Sequence, residues 1–416
     1  MELVFITEAR FVKDAAGKIY STDGTFSKDL WERYLSSFSH IYVIARLSSV
    51  GENNIKENFR ADSSRVSFIE LPYYKGLKGY IKNYIEIKKI IRGSITKGRA
   101  YICRCPGILG SIAARELRKK GLPYGIEIVG DPYEVFAPGA LKNPLRPFLR
   151  AIMTQQMKNA ALNASAVLYV TRQTLQNRYP AKPGVFAVSA SNVILSERDI
   201  VKTPGEFKRK GEYNIISIGS LEQMYKAPDV TLKAIQLLNQ NNFPCRLTWI
   251  GEGRHKQDMI LLSKELGIED RVLFTGSVPP GEEVRRYLDT SDIFVLASRT
   301  EGLPRAMIEA MARGLPCIGT NAGGIPELLE GEVIVPKDNP EALFENLKCL
   351  MQNPSLAEYQ AKRNLLEART YVSELLDINR RSFYETLKTI IQNGNELCQN
   401  RKYALLSRLP LQHMHS

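Results

Sequence analysis

The stretch that decides the fold is Ile293-Phe-Val-Leu-Ala297, followed by Ser298-Arg-Thr-Glu-Gly-Leu-Pro304 and Arg305-Ala-Met-Ile-Glu-Ala-Met-Ala-Arg313. The first segment is a short apolar run typical of a buried parallel strand, and the last has the apolar spacing of a helix. We place Pro304 at the first helical position, and Gly314 follows the last one, which is the usual asymmetry of helix ends. The stretch therefore predicts a strand, a loop and a helix whose start offers free backbone N–H groups to a ligand.

The same alternation of apolar runs and helical patterns extends along most of the chain, which predicts parallel sheets built from βαβ units. Domain boundaries follow from breaks in this pattern: an N-terminal Rossmann-like domain at 1–195, a polar linker at 196–212 and a second Rossmann-like domain at 213–370. Helices at 371–393 are predicted to pack back on the first domain, and a tail covers 394–416. The fold class is thus α/β, with two doubly wound parallel-sheet domains facing a central cleft, where such folds bind their ligands.

Individual strands can be assigned from the short apolar runs. In the first domain the predicted strands are 3–7, 41–45, 66–71, 100–105, 124–129, 166–170 and 185–189, and in the second they are 214–218, 245–250, 272–274, 293–297, 316–319 and 332–335. Residues Thr7–Gly24 are interpreted as a polar loop after the first strand.

Composition limits the class of protein. The 416 residues are 44% hydrophobic and 24% charged, which is ordinary for a globular protein and excludes a disordered chain. No apolar run reaches the ~20 residues of a membrane span, and the start lacks the basic residues of a signal peptide. The six cysteines are scattered, so we expect reduced, buried thiols in a cytoplasmic protein. A net charge of +13 calls for an anionic partner.

Two acidic residues, Glu301 and Glu309, bracket the start of the predicted helix after the decisive strand. Since Arg305, Glu309 and Arg313 are spaced four apart, one interpretation of Glu309 is a salt-bridged surface residue. The other interpretation is a pair of carboxylates that reach different hydroxyls of one bound ligand.

The segment Glu301-Gly-Leu-Pro-Arg-Ala-Met-Ile-Glu-Ala310 resembles the signature of glycosyltransferase family 4 (glycosyl transferases group 1), whose members have the GT-B fold and retain the anomeric configuration. The resemblance implies that Glu309 holds the ribose hydroxyls of a nucleotide-sugar donor and that Glu301 contacts the transferred sugar. It further implies that backbone N–H groups around Gly302 and Leu303 touch the sugar or the diphosphate, and we add Pro304 and Arg305 at the helix start as donor-site candidates. UDP- or GDP-linked sugars are the expected donors, a saccharide or lipid-linked molecule the acceptor, and no cofactor or metal is expected.

Other loops of the second domain fit the same family. Gly219-Ser-Leu-Glu-Gln-Met-Tyr-Lys226 stands where relatives often have G-R-L…K-G, so Lys226 matches while Ser220 replaces an arginine and Ala227 a glycine. The resemblance implies that Lys226 neutralises the donor diphosphate, and Arg305 is a candidate for the missing positive charge.

Glycine turns after two further strands complete the predicted donor side. Gly251 and Gly276 let the backbone approach a ligand closely, although an ordinary turn explains Gly251 equally well. Gly219, in the loop that carries Lys226, is a further donor-site candidate. The resemblance places the nucleobase near the backbone of Val278.

The first domain offers weaker signals for the acceptor. Relatives often have a histidine after the fifth strand, whereas this chain has Gly130-Asp-Pro-Tyr-Glu-Val-Phe136. Asp131 is therefore the candidate catalytic or orienting residue, with the start of a turn before Pro132 as the alternative. Arg104 and Gly24 are further acceptor-side candidates.

A basic segment, Lys75–Arg99, carries eight Lys and Arg residues against the single acid Glu86. Leu77, Ile81, Tyr84, Ile87 and Ile91 form an apolar stripe at helical spacing. The segment is either a packed helix with a solvated basic face or a helix drawn to an anionic membrane surface.

Competing classes are disfavoured by missing motifs. An NAD-dependent oxidoreductase would need a G-x-G-x-x-G turn, which is absent, and a metal-dependent transferase of the GT-A type would need a D-x-D triplet. The basic residues are joined to no nucleic-acid reading motif. A non-catalytic sugar-nucleotide-binding scaffold in polysaccharide assembly and, more distantly, a GT-B epimerase stay open.

Overall fold

Strands and helices alternate through the computed structural model, which describes residues 1–22, 24–49, 57–137 and 144–406. The described strands are β1 (Leu3–Lys13), β2 (Ile19–Ser21), β3 (Ile41–Ser49), β4 (Val66–Leu71), β5 (Ala100–Cys105), β6 (Gly125–Ile128), β7 (Ala166–Tyr169), β8 (Phe186–Ser189), β9 (Tyr213–Ile218), β10 (Cys245–Ile250), β11 (Val272–Gly276), β12 (Ile293–Leu296), β13 (Cys317–Thr320) and β14 (Ile334–Val335). The described helices are α1 (Lys28–Leu35), α2 (Gly76–Ser94), α3 (Ile108–Lys119), α4 (Pro132–Val135), α5 (Arg146–Leu162), α6 (Thr174–Arg178), α7 (Pro228–Gln240), α8 (Lys256–Glu265), α9 (Glu282–Asp289), α10 (Arg305–Ala312), α11 (Ile325–Leu328), α12 (Pro340–Gln352), α13 (Pro354–Arg369) and α14 (Ser373–Leu406).

The described strands form two sheets. The first has the order β4-β3-β1-β5-β6-β7-β8, with β2 antiparallel to β1, and the second has the order β11-β10-β9-β12-β13-β14. Apart from β2, the described strands of both sheets pair in parallel. The connections between these strands must therefore cross over the sheet, and the helices in the connections cover the sheet faces. This burial explains why strands such as β12 are apolar at every position. The predicted class of two doubly wound α/β domains is confirmed.

The interpretation of Thr7–Gly24 as a polar loop is wrong. Strand β1 continues to Lys13, and after a register shift between Ile6 and Arg10 it still pairs with β3. The chain then returns as β2, which pairs with the end of β1. Polar and apolar residues alternate here, with Phe11 buried, so the segment is a half-exposed hairpin rather than the continuous apolar run by which we assigned strands.

The last helix joins the two domains. Asn379 of α14 donates its side-chain amide to the carbonyl of Ser189 at 2.9 Å, and a β-carbon on Gly125 of β6 would lie 2.7 Å from the ring of Phe383. The C-terminal helix thus packs on the sheet of the first domain. It runs to Leu406 without a break at the predicted start of the tail, and residues 407–416 lie outside the described part of the chain.

The thiols follow the expectation with one exception. Cys103, Cys105, Cys245 and Cys317 are buried and unpaired, and burial raises the pKa of the Cys105 thiol to about 12. Cys349 is exposed on α12, so the expectation of buried thiols is wrong there. The side chain of Cys398 lies outside the described residues. Among the described helices, none combines the length and apolar character needed to cross a membrane.

Candidate functional site

Glu301 lies in the loop after β12, where three polar groups meet. Ser298, which is fully buried, donates its hydroxyl to Glu301 Oε1 at 2.6 Å, and Lys226 Nζ forms an ion pair with the same oxygen. The Glu301 side chain is only 8% exposed, whereas that of Lys226 is 25% exposed. The structure therefore brings two predicted catalytic residues together although they lie far apart in the sequence. Ser298 is a site residue that the sequence analysis missed.

Arg299 holds this arrangement in place. Its guanidinium donates to Asp229 Oδ2 at 2.7 Å and to Asp338 Oδ1 at 2.6 Å, and it also donates to the carbonyl of Met224 at 2.8 Å. The turn that carries Lys226 is thereby fixed against the loop that carries Glu301. Arg299 was likewise not recognisable from the sequence, because its partners lie outside the motif in which it stands.

The turn before α7 explains one departure from the family pattern. Ala227 adopts a left-handed conformation with φ 48° and ψ 53°, which favours glycine and costs other residues about 1 kcal/mol. Relatives often have glycine at this position, and the backbone shape is retained here without it. The Lys226 side chain lies directly over Gly219, where a β-carbon would be 2.6 Å from it.

Gly251 packs behind Gly219 at the same edge of the sheet. A β-carbon on Gly251 would lie 2.0 Å from the Gly219 carbonyl oxygen, so only glycine fits this contact. Ser220 is exposed and accepts a hydrogen bond from the backbone N–H of Glu222 at 3.2 Å. Val278 is partly buried against the core. These loops therefore come together beside Lys226 at the carboxyl ends of β9, β10 and β11.

Glu309 is partly buried on α10, and its side-chain carboxyl group has neither a hydrogen bond nor an ion pair among the described residues. Loss of hydration on burial is the main cause that raises its carboxyl pKa to about 7; the nearby charge of Asp199 adds to this, whereas Arg305 and Arg285 oppose it. Arg313 instead pairs with Asp289 at 2.6 Å. The interpretation of Glu309 as a surface salt-bridge partner is therefore wrong.

The start of α10 differs slightly from the prediction. Pro304 is the residue before the helix, with φ −75° and ψ 106°, and Arg305 is the first helical residue. Arg305 is exposed, and Leu303 is buried. The helix ends before Arg313. Gly314 follows with φ 71°, a left-handed conformation that glycine commonly adopts just after a helix.

Asp131 caps the short helix α4 and is 1% exposed. Its carboxylate accepts hydrogen bonds from the Tyr133 backbone N–H at 2.9 Å and the Tyr179 hydroxyl at 2.5 Å, and it forms an ion pair with Arg178. These contacts are the ones expected of a residue at the start of a turn or short helix, which was the alternative interpretation of Asp131. The catalytic or orienting role of Asp131 stays a prediction.

The two other acceptor-side candidates, Arg104 and Gly24, also lie against residues of the first domain. Arg104 pairs with the buried Glu127 at 2.9 Å, and its guanidinium lies 5.3 Å from the ring centre of Phe26. Gly24 has φ 74°, and a β-carbon there would lie 2.6 Å from the Phe59 ring.

The basic segment forms α2, but its apolar stripe is not the predicted one. Ile87 and Ile91 are fully buried, whereas Ile81 is 64% exposed, so the assignment of Ile81 to the packed face is wrong. The buried row is continued by Tyr80 and Tyr84, which are half-buried, and Ile81 is turned about 100° away from it. The side chain of Leu77 lies outside the described residues.

The two domains touch at the cleft beside Glu301. A β-carbon on Gly302 would lie 2.7 Å from the Val129 carbonyl oxygen at the end of β6. Glu327 of α11 accepts a hydrogen bond from the backbone N–H of Arg172 at 2.6 Å, and Lys337 forms an ion pair with Glu134 of the first domain. The described conformation is therefore a closed one, with Glu301 at the boundary between the domains.

Known proteins resemble the chain along most of its length. Residues 202–365 match the model of the family "Glycosyl transferases group 1". Protein CapJ of Staphylococcus aureus is 28% identical over 374 residues, which cover 88% of this chain and 92% of that protein. The amylovoran biosynthesis glycosyltransferase AmsK of Erwinia amylovora is 33% identical over 187 residues, 43% of this chain and 44% of that protein.

Solved structures show the same fold. Sucrose-phosphate synthase from Thermosynechococcus elongatus superposes with a TM-score of 0.69 at 15% identity, over 94% of this chain and all of that one. Anabaena HepE, solved in complex with UDP and glucose, gives a TM-score of 0.63 at 13% identity over the same shares. At such low sequence identities, structural similarity shows only that the fold is shared. The activity is inferred from the family that residues 202–365 match. The chain is therefore a glycosyltransferase with the GT-B fold, and its residues 202–365 match the glycosyl transferases group 1 family.

Proposed function

We propose that the chain transfers a sugar from a nucleotide-sugar donor to an acceptor with retention of the anomeric configuration, in the synthesis of a capsular, envelope or exported polysaccharide or glycolipid. The observations that carry the donor site are the Lys226–Glu301 ion pair in the loop before α10 and the unpartnered, partly buried carboxyl group of Glu309 on α10. A carboxylate that is partly dehydrated and unpaired gains most from hydroxyl donors such as those of a ribose.

In the proposed reaction Lys226 stabilises the negative charge that develops on the departing diphosphate. The resemblance implies that the acceptor attacks from the face that the diphosphate leaves, so the diphosphate oxygen takes the acceptor proton. No protein base is then obligatory, and the full occupation of Asp131 by its three partners fits such a path. The exposed Arg305 supplies a second positive charge, so the proposed reaction proceeds without a metal ion.

The nucleotide is proposed to be UDP or GDP. UDP is supported by HepE, which was solved with UDP and glucose, and by the structure of trehalose-6-phosphate bound with UDP-2-fluoro glucose, which has a TM-score of 0.62 at 13% identity. The polysaccharide setting is supported by the amylovoran and colanic acid glycosyltransferases among the relatives.

A thermal-shift screen with UDP, GDP, ADP and their sugars tests the donor site, because a ligand that binds only the folded state raises the melting temperature. We expect one nucleotide to stabilise the wild type, and Glu309→Ala to weaken that stabilisation. Binding of the nucleotide sugar without transfer to any acceptor would favour the non-catalytic scaffold instead. An equal shift for wild type and Glu309→Ala would remove the site assignment.

We further propose that the exposed lysines of α2 hold the protein at the cytoplasmic, anionic face of a membrane, which would suit a lipid-linked acceptor. Each basic residue near such a surface contributes roughly 1 kcal/mol of attraction at low salt. Sedimentation with anionic and neutral vesicles tests this: no dependence on anionic lipid at low salt would exclude it.

A further inference from the structure

A groove of about 370 Å³ lies on the outer surface of the first domain between α2, α3 and α5. Its walls are mainly apolar and include Tyr80, Tyr84, Ile108, Leu149, Ile152 and Met153. The small side chains of Ser111 and Ala114 on α3 lie between the walls and leave the space open. None of the residues used above for the donor site lines this groove.

The groove runs from the cleft toward the opposite edge of the sheet. Helices α2 and α3 follow β4 and β5, and α5 leads into β7, so the first turns of all three helices lie toward the carboxyl edge of the sheet that faces the cleft. Ile108 is the first residue of α3 and marks that end. Arg115 and Arg118, in the last turns of α3, mark the other end, where Arg115 donates to the Tyr84 hydroxyl at 3.3 Å.

Large apolar side chains stand exposed on the two helices that form the walls. Ile81 and Ile85 of α2 are 64% and 81% exposed, and Phe148 in the first turn of α5 is 64% exposed. The α2 pair stands among exposed basic residues, namely Lys75, Lys78, Lys82, Lys89 and Arg92. Exposed apolar residues flanked by lysines are typical of helices that lie in the interface of an anionic bilayer.

We propose that this groove takes one hydrocarbon chain of an anionic phospholipid from a bilayer, while Ile81, Ile85 and Phe148 enter the interface. The basic residues of α2 are complementary to the lipid phosphates, and the apolar walls exclude water from the chain. This inference rests on the membrane attraction proposed above and adds the docking face and its occupant. Because the groove begins at the cleft edge, docking holds the acceptor side of the cleft at the membrane surface.

Photo-crosslinking of the full chain tests the occupant. The probe is phosphatidylglycerol with a diazirine at the end of one acyl chain, present in phosphatidylcholine vesicles. We expect labelled peptides from α2, α3 and α5. Ser111→Trp, which fills the groove, should lower that labelling at least about fivefold while sedimentation with the same vesicles changes less than about twofold. Ile152→Lys on the opposite wall should act in the same direction, so the test does not depend on one variant folding.

The exposed isoleucines test the docking face. The double variant Ile81→Asp, Ile85→Asp should weaken vesicle binding at least about tenfold, because two apolar side chains no longer enter the bilayer. Ile194→Asp is the matched control, since Ile194 is 70% exposed at another place on the surface, and it should bind vesicles as the wild type does.

The outcomes separate the proposals. Labelling that maps to other helices, or that is equal in wild type and both groove variants, overturns the groove and leaves the membrane attraction standing. Failure of the wild type to sediment with anionic vesicles at low salt overturns both. The nucleotide-dependent thermal shift does not involve lipid, so it reports on the donor site in every variant.

Discussion

At the scale of single residues, we expect the ionised carboxylate of Glu309 to lower the stability of the fold while it serves the proposed ligand site. Its folded-state pKa of about 7 lies above the ordinary value of 4.5, so the ionised form opposes folding, and this cost grows as the pH rises from about 4.5 to about 7. Glu309→Gln removes the charge. After allowance for its partial exposure, we expect the variant to be more stable than the wild type by about 2 kcal/mol at pH 8 and equally stable at pH 4.

Thermal unfolding at the two pH values measures this difference. Glu265→Gln, which changes an exposed residue at the end of α8, should alter the melting temperature little at either pH. A Glu309→Gln variant that is less stable than the wild type at pH 8 would contradict the prediction.

Lys226 should matter for turnover. It is 25% exposed and pairs with Glu301, so Lys226→Met removes a charge at the proposed diphosphate site and preserves most of the side-chain volume. Loss of one group that stabilises developing charge lowers kcat by about 10²- to 10³-fold. Lys233→Met on the exposed face of α7 is the control, and equal turnover of the two variants would argue against the assignment.

At the scale of elements, the loop after β13 supports the loop that carries Glu301. Gly323 has φ 50°, and a β-carbon there would lie 2.1 Å from the Glu301 carbonyl oxygen. Gly323→Ala should therefore displace the Glu301 loop, lower the stability by about 1–3 kcal/mol and reduce activity more than tenfold.

A nearby glycine provides the comparison for this loop. Gly331 has an ordinary φ, and no other atom lies within 4 Å of a β-carbon built on it, so Gly331→Ala should leave both the melting temperature and activity nearly unchanged. Wild-type activity in Gly323→Ala would show that the contact between the loops does not position Glu301.

At the scale of the whole molecule, contacts across the cleft favour the closed arrangement of the domains. Glu327 accepts hydrogen bonds from the backbone N–H groups at the start of α6, and Lys337 pairs with Glu134. Lys337→Glu places like charges against each other, so we expect a larger radius of gyration in small-angle X-ray scattering. Lys348→Glu, whose ion pair lies within α12, should leave the radius unchanged. An unchanged radius for Lys337→Glu would mean that this pair does not hold the domains together.

The strand, loop and helix that carry Glu301 and Glu309 were largely predictable because their signals are local. Apolar runs, the glycine after α10 and the spacing of Glu301 and Glu309 are set by residues close together in the chain, and the structure places them as a strand, a loop and a helix. The small errors, such as Pro304 before the helix rather than within it, concern the ends of elements, where local patterns specify least.

The sequence by itself determined two doubly wound domains and the strand, loop and helix that carry Glu301 and Glu309, since periodicity and helix-end residues act over a few positions. Only the tertiary structure decided that Glu309 is unpartnered, that Arg299 fixes the Lys226 turn to the Glu301 loop, and that Asp131 is enclosed by Tyr179 and Arg178. Each of these depends on burial or on partners distant in the chain. The physical reason is that hydration and charge pairing, which set what a carboxylate can do, are established only when the elements pack.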